Sequence, residues 1–141
     1  MIHHISLPVA SLEKSSHFYD VVLGALGYRK VCASDDFAGY GVEDNKDQFS
    51  ILQINPSARA GAGFHLAFSA PSREAVDLFH VAALDSGGAC NGPPGLRKQY
   101  GPDYYAAFVI DPDGHRLEAV VNESVSVSHE VQAVPLQAEP L

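Results

Sequence analysis

The chain has 141 residues, a formal net charge of −8, 46% hydrophobic residues and 18% charged residues. This describes a single globular domain with room for a sizeable core. The negative charge argues against a nucleic-acid or anionic-membrane surface, but it leaves open a small acidic substrate in a locally basic pocket. No apolar run approaches the roughly 18 residues of a membrane span. Cys32 and Cys90 are too few for a disulfide framework, and Met1 leads straight into a strand pattern. The cytoplasm is therefore the expected compartment.

The first element is an alternating strand. From His3 to Val9, Ile5, Leu7 and Val9 share one face, and His4, Ser6 and Pro8 share the other. His3 points away from His4. Ser11 is placed to cap a helix on which Leu12, Ser15, Tyr19, Val22, Leu23 and Leu26 recur at helical spacing, with Gly24 or Gly27 to close it. Two strands follow, over residues 28–34 and 37–42, joined at Asp35-Asp36. A polar turn at residues 44–47 leads to a fourth strand over 49–54. Residues 55–63 read as a linker of small residues, Pro and Gly.

The pattern then restarts. Phe64 to Ala70 alternates, with Leu66 and Phe68 toward the core and His65, Ala67 and Ser69 opposite. Ser72 caps a second helix carrying Val76, Phe79, Ala83 and Leu84, which ends at Gly87-Gly88. The Gly- and Pro-rich stretch Gly92 to Gly95 precedes a hairpin whose turn, Asp111-Pro112-Asp113-Gly114, has type I chemistry. On its returning strand Leu117, Ala119 and Val121 face the core, and Arg116, Glu118 and Val120 face away. Residues 123–141 form a tail without aromatics, read as an edge strand or a disordered segment.

A repeat links the two halves. His4 matches His65, Ser11 matches Ser72, Glu13 matches Glu74, Phe18 matches Phe79, Leu23 matches Leu84 and Gly27 matches Gly88, all at one offset. At a slightly longer offset Leu52-Gln53 pairs with Leu117-Glu118. Each half is a βαβββ unit. The fold class is α+β, one domain over residues 1–122 with modules at 1–56 and 63–122.

A lone strand histidine is usually a polar surface residue. Here two histidines and a carboxylate stand on the non-core faces of alternating strands, beside small neighbours (Ser6, Ala67, Ser69) that leave room for a ligand. Two imidazoles and one carboxylate suit one divalent ion, Zn, Ni, Mn or Fe, with positions open for water and substrate. Arg97 and Lys98, after a stiff turn, either pair with a carboxylate or phosphate of a small-molecule substrate or form a solvated loop charge pair. Tyr100 and Tyr104 could stack or donate. Cys32 and Cys90 read as small buried residues, and His17, His80, His115 and His129 as helix-surface, turn and tail residues.

The repeated βαβββ unit, the run Ser15 to Tyr19 with Leu23-Gly24, and Asp111-Pro-Asp-Gly114 followed by Leu117-Glu118 resemble the vicinal oxygen chelate superfamily. That superfamily includes glyoxalase I, fosfomycin-resistance thiol transferases, extradiol dioxygenases and bleomycin-binding proteins. The resemblance implies two modules pairing their sheets into a glyoxalase/bleomycin-resistance-type funnel, with His4, His65 and Glu118 holding a metal at its base. It also implies a homodimer, with the funnel built within a chain or by exchange between chains, and the tail near the partner. Gln53 falls where glyoxalase I usually has a fourth, carboxylate ligand, and is either a ligand or a pocket hydrogen-bonder. Pro8 stands where glyoxalase I commonly has an arginine that holds the glutathione carboxylate, and with Gln53 this departure leaves both glutathione use and the glyoxalase isomerisation open. The implied activity is a glyoxalase-like lyase or isomerase reaction with the metal as Lewis acid. The alternatives are a metal-free binding or resistance protein, an Fe(II) extradiol-type dioxygenase and a thiol transferase.

Overall fold

The computed structural model describes residues 1–55 and 61–123. The chain runs β1 (Ile5–Val9), α1 (Leu12–Ala25), β2 (Arg29–Ala33), β3 (Phe37–Gly41), β4 (Phe49–Gln53), β5 (Leu66–Ser69), α2 (Arg73–Asp85), β6 (Ala89–Leu96), β7 (Tyr104–Ile110) and β8 (Arg116–Asn122). These form two four-stranded sheets of matching order, β1-β4-β3-β2 and β5-β8-β7-β6. In each, the first and last strands of the module pair in parallel and the other pairs are antiparallel. The fold is α+β, built from two βαβββ modules. The expected tail, with His129, lies outside the described residues apart from Glu123.

Both helices begin and end as their sequences dictate. The Ser11 hydroxyl accepts from the Lys14 N–H, and the Ser72 hydroxyl from the Ala75 N–H. Gly27 and Gly87, at φ 95° and 99°, supply the left-handed residue just beyond each end, where a side chain would be strained. Gly24 lies within α1.

Each helix covers one face of its own sheet, and the two helices also pack on each other. Phe18, Tyr19, Val22 and Leu23 from α1 and Val76, Phe79 and Ala83 from α2 are fully buried, against Leu7, Val9, Ile51, Val109, Leu117 and Ala119 from the strands. Phe49 of the first module meets Phe68 of the second edge to face, 5.3 Å between centroids, so the modules share one core. Truncating a fully buried aromatic such as Phe79 to Ala would cost about 3–5 kcal/mol.

The Asp111–Gly114 turn also fastens the modules together. Asp113 accepts from the Ala10 N–H (2.9 Å) and the Ser15 hydroxyl (3.1 Å), both in the first module. Asp111 accepts from the Tyr19 hydroxyl (2.5 Å) and from the backbone N–H groups of Asp113 and His115. His115 Nε2 donates to the Pro8 carbonyl at 2.8 Å. His115 is thus buried (2% exposed), not the open turn residue its position suggested. Burial pushes the Asp111 carboxyl up, against its hydrogen bonds, and pushes the Tyr19 hydroxyl well above its usual range.

Two local expectations are corrected. The Gly92–Gly95 stretch is not a stiff turn before Arg97 but part of β6, an edge strand whose pairing with β7 shifts register at Cys90/Gly92 and Gly92/Gly95. An edge tolerates Pro93 and Pro94, which have no N–H to donate. The cysteines are not buried: Cys32 is partly exposed and Cys90 exposed, its sulfur meeting His80 Nε2 (3.2 Å) and the Gly92 N–H (3.4 Å).

Candidate metal centre

With helices on one face of each sheet, the alternation of every strand sends the remaining side chains to the other face, the concave side of the expected funnel. On the second module that face carries the chemistry. Glu118 points there because its neighbours Leu117 and Ala119 point into the core. Its cross-strand partners are Ala67 on β5 and Phe108 on β7. His65, just before β5, reaches the same spot: its Nε2 lies 3.0 Å from Glu118 Oε1. The other carboxylate oxygen, Oε2, accepts from the Tyr104 hydroxyl. The Glu118 side chain is only 3% exposed, against 52% for that of His65.

The substrate-binding candidates surround this pair. The Tyr104 hydroxyl is pushed up to about 12, first by desolvation and then by its hydrogen bond to Glu118. Tyr100 packs edge-on against Tyr104 at 5.2 Å. Arg97 lies over the Phe108 ring at 5.3 Å and donates to the Gly95 and Pro93 carbonyls, while Phe108 itself stands 6.5 Å from the His65 ring. Among the described residues Arg97 makes no ion pair. Lys98 is exposed at the end of the same segment.

The residues expected from the first module stand apart. His4 is exposed, with Nδ1 2.9 Å from His3 Nδ1. Among the described residues no three His, Cys, Asp or Glu side chains converge as they would on a shared ion. Gln53 does not occupy the position equivalent to Glu118. On β5 and β8, Ala67 pairs with Glu118; on β1 and β4, the equivalent Ser6 pairs with Ser50. The Ser6 and Ser50 hydroxyls are 2.6 Å apart. Gln53 faces the helix side, where its Oε1 accepts from the Leu12 N–H at 2.7 Å, at the start of α1. Phe108 escaped the sequence reading, although the Asp111–Gly114 turn sets the hairpin register and places Phe108 directly across from Glu118.

His65 and Glu118 fit one edge of a metal site. An imidazole nitrogen and a carboxylate oxygen are the right donor types, and 3.0 Å is the spacing of two adjacent ligands at right angles with bonds of about 2.1 Å. One chain presents these two donors together and carries His4 elsewhere.

The chain belongs to the Glyoxalase/Bleomycin resistance protein/Dioxygenase superfamily, whose family model matches residues 1–119. Among solved structures, a glyoxalase/bleomycin resistance protein from Albidiferax ferrireducens T118 is 36% identical, covers 83% of this chain and 94% of its own, and superposes with a TM-score of 0.69. A family enzyme from Burkholderia phytofirmans PsJN is 19% identical, covering 86% of this chain and 98% of its own, with a TM-score of 0.66. A point mutant of the fosfomycin resistance protein FosX from Listeria monocytogenes, complexed with Mn(II) and 1S,2S-dihydroxypropylphosphonic acid, is 19% identical. It covers 87% of this chain and 90% of its own, with a TM-score of 0.64. The last two likenesses establish the fold. No curated protein matches the chain. No helix among the described residues is long and apolar enough to cross a membrane.

Proposed function

We propose that this protein is a metal-dependent enzyme of the glyoxalase-like lyase or isomerase kind, acting on a small oxygenated substrate. The observation that carries this reading is the His65–Glu118 pair, 3.0 Å apart on the concave face of the second module. His65 Nε2 and Glu118 Oε1 would hold one divalent ion, with His4 as the third ligand. When bound, such an ion supplies a Lewis acid that polarises a carbonyl or stabilises an enediolate. A pure binder has no need of this ligand set.

Because His4 stands apart from the pair within one chain, the third ligand is assigned to a second copy, and the working unit to a homodimer with exchanged modules. The exposed His65, Ala67 and Ser69 on the concave face of β5 support this assembly, since a half-funnel leaves them open. The chain's own residues would receive and orient the substrate. Arg97, a cation without an ion pair among the described residues, would attract an anionic or oxygen-rich group toward Glu118, and Phe108 and Tyr100 would flank it.

Metal content should be measured on untagged protein, followed by melting temperature with and without Ni²⁺, Zn²⁺ or Mn²⁺. A metal-dependent rise supports the reading, and its absence assigns the protein to the metal-free binders. Exchange is tested by co-expressing H4A and E118Q subunits. With exchanged modules, the hybrid dimer carries one doubly defective site and one intact site, and binds one ion. If each site forms within its own chain, both are damaged and none binds tightly. A turnover screen against small α-hydroxycarbonyl and epoxide substrates then tests the activity itself.

A further inference from the structure

Tyr104 can be read as a residue that touches substrate, but its hydroxyl is already committed. It donates to Glu118 Oε2, the oxygen on the far side of the carboxylate from His65. We infer that Tyr104 is a positioning residue that holds Glu118 as a one-oxygen ligand, so that a coordination position stays open for substrate. This rests on the reading of Glu118 as a ligand.

The geometry supports it in three ways. The Glu118 side chain is buried and cannot swing freely, so the direction of its two oxygens is set by what they bond. Oε1 faces His65 at 3.0 Å, which puts that oxygen and not Oε2 beside the second ligand. Tyr104 is itself held, with Tyr100 edge-on at 5.2 Å and its backbone paired with Asn122 at the end of the β7–β8 ladder. A carboxylate with both oxygens free can rotate to give both to one ion, filling a position that substrate would otherwise take. A fixed donor on Oε2 opposes that rotation. Residues that orient metal ligands in this way typically change metal affinity by about 10–100-fold when removed.

The first module has no counterpart. Its register-equivalent of Glu118 is Ser50, whose hydroxyl bonds Ser6, so the tyrosine serves a feature of one module only. Tyr105, the next residue on β7, turns its hydroxyl to Asp77 of α2 (2.6 Å), which makes it the natural control.

The experiment compares wild type, Tyr104→Phe, Tyr105→Phe and Glu118→Gln for Co²⁺ affinity by calorimetry, for the visible spectrum of the Co²⁺-loaded protein, and for melting temperature without metal. The expected result is a changed Co²⁺ spectrum for Y104F, from the second carboxylate oxygen reaching the ion, with Co²⁺ affinity shifted by about tenfold or more. Y105F should stay within about twofold of wild type, and all metal-free melting temperatures within a few degrees. A Y104F protein with wild-type affinity and an unchanged spectrum, beside a Glu118→Gln protein that has lost binding, overturns the inference and leaves the metal reading standing. Wild-type protein that binds no Co²⁺ overturns both.

Discussion

The two modules share an element order and a ladder pattern, yet their concave faces are chemically unlike. Where β5, β8 and β7 bring Ala67, Glu118 and Phe108 side by side, β1, β4 and β3 bring Ser6, Ser50 and Gly39. One face offers a buried carboxylate with two partners, and the other a pair of hydroxyls and a glycine. Gly39 has no room to be anything larger, because a Cβ there would meet the Cys32 sulfur at 2.7 Å and the Asp47 Cβ at 2.8 Å. The connections differ as well. The second module returns through the tight Asp111–Gly114 turn that binds into the first module, while the first returns through a polar loop with Asn45 at φ 62°. A duplicated fold therefore does not duplicate the site. The second module brings a histidine, a carboxylate and a tyrosine together, and the face of the first carries only small residues beside Ser50.

The largest effect should come from removing what joins the unlike halves. Asp111→Ala leaves the Tyr19 hydroxyl and the His115 and Asp113 N–H groups without their acceptor in a buried place. The expected loss is about 3 kcal/mol or more, read as a drop in melting temperature on the order of 10 °C. The pH dependence follows from the raised folded-state pKa. A carboxyl whose pKa rises on folding favours the folded state most when protonated, below its ordinary value of 3.8, and that contribution is lost as pH climbs through the raised value. Asp111→Asn should therefore show a flatter stability profile than wild type across that window. A profile parallel to wild type would place the titration elsewhere.

Next in size is Glu118→Gln, which tests whether the chemistry lies where the comparison puts it. Replacing a charged ligand should cost at least the upper end of the outer-shell range, about 100-fold in metal affinity, or about 2.7 kcal/mol. The fold should be little affected, since Gln keeps the shape and Glu118 faces away from the packed side. Unchanged metal binding would show that this glutamate is not a ligand. Ser50→Glu tries the reverse, giving the first module the carboxylate it lacks. Ser50 is 1% exposed, so without metal the variant should melt lower. In the assembled funnel it should tighten Ni²⁺ or Mn²⁺ by about tenfold, or about 1.4 kcal/mol, with a larger metal-dependent rise in melting temperature. An unchanged affinity would mean that the two concave faces do not close on one ion.

Much of this was legible in the residues. Alternation from His3 to Val9 and from Phe64 to Ala70, the serine caps and the closing glycines define both modules, because local periodicity and capping are local physics. Glu118 and its face followed from the same alternation. What escaped was cross-strand register. Gln53 could be aligned with Glu118 because Leu precedes both, yet the ladder pairs Ser50 with Ser6 as Glu118 pairs with Ala67. Pairing is decided by hydrogen bonds between strands distant in the chain, and a shift of an odd number of residues sends a side chain to the other face. His115 was misread for a related reason. Its partner, the Pro8 carbonyl, belongs to the other module, and no local pattern announces it. Pro93 and Pro94 hid how far β6 runs, to Leu96, because their effect depends on whether a strand lies at an edge.

The smallest prediction separates the two assignments of the fourth position. Gln53 Oε1 accepts from the Leu12 N–H, at the first residue of α1. A helix start carries unsatisfied N–H groups and a partial positive charge, so a carboxylate there is favoured over an amide by about 0.3–1 kcal/mol. Gln53→Glu should keep the hydrogen bond, raise the melting temperature by a degree or more, and lose that gain at high salt, as an exposed charge effect must. Metal affinity should not change, because the side chain points to the helix and not to the concave face. Had Gln53 stood where Glu118 stands, the same substitution would add a ligand, tighten metal binding and leave the metal-free protein no more stable. Calorimetric titration with Ni²⁺ beside a salt series of melting curves therefore reads the register of β4 in solution, through a single added charge.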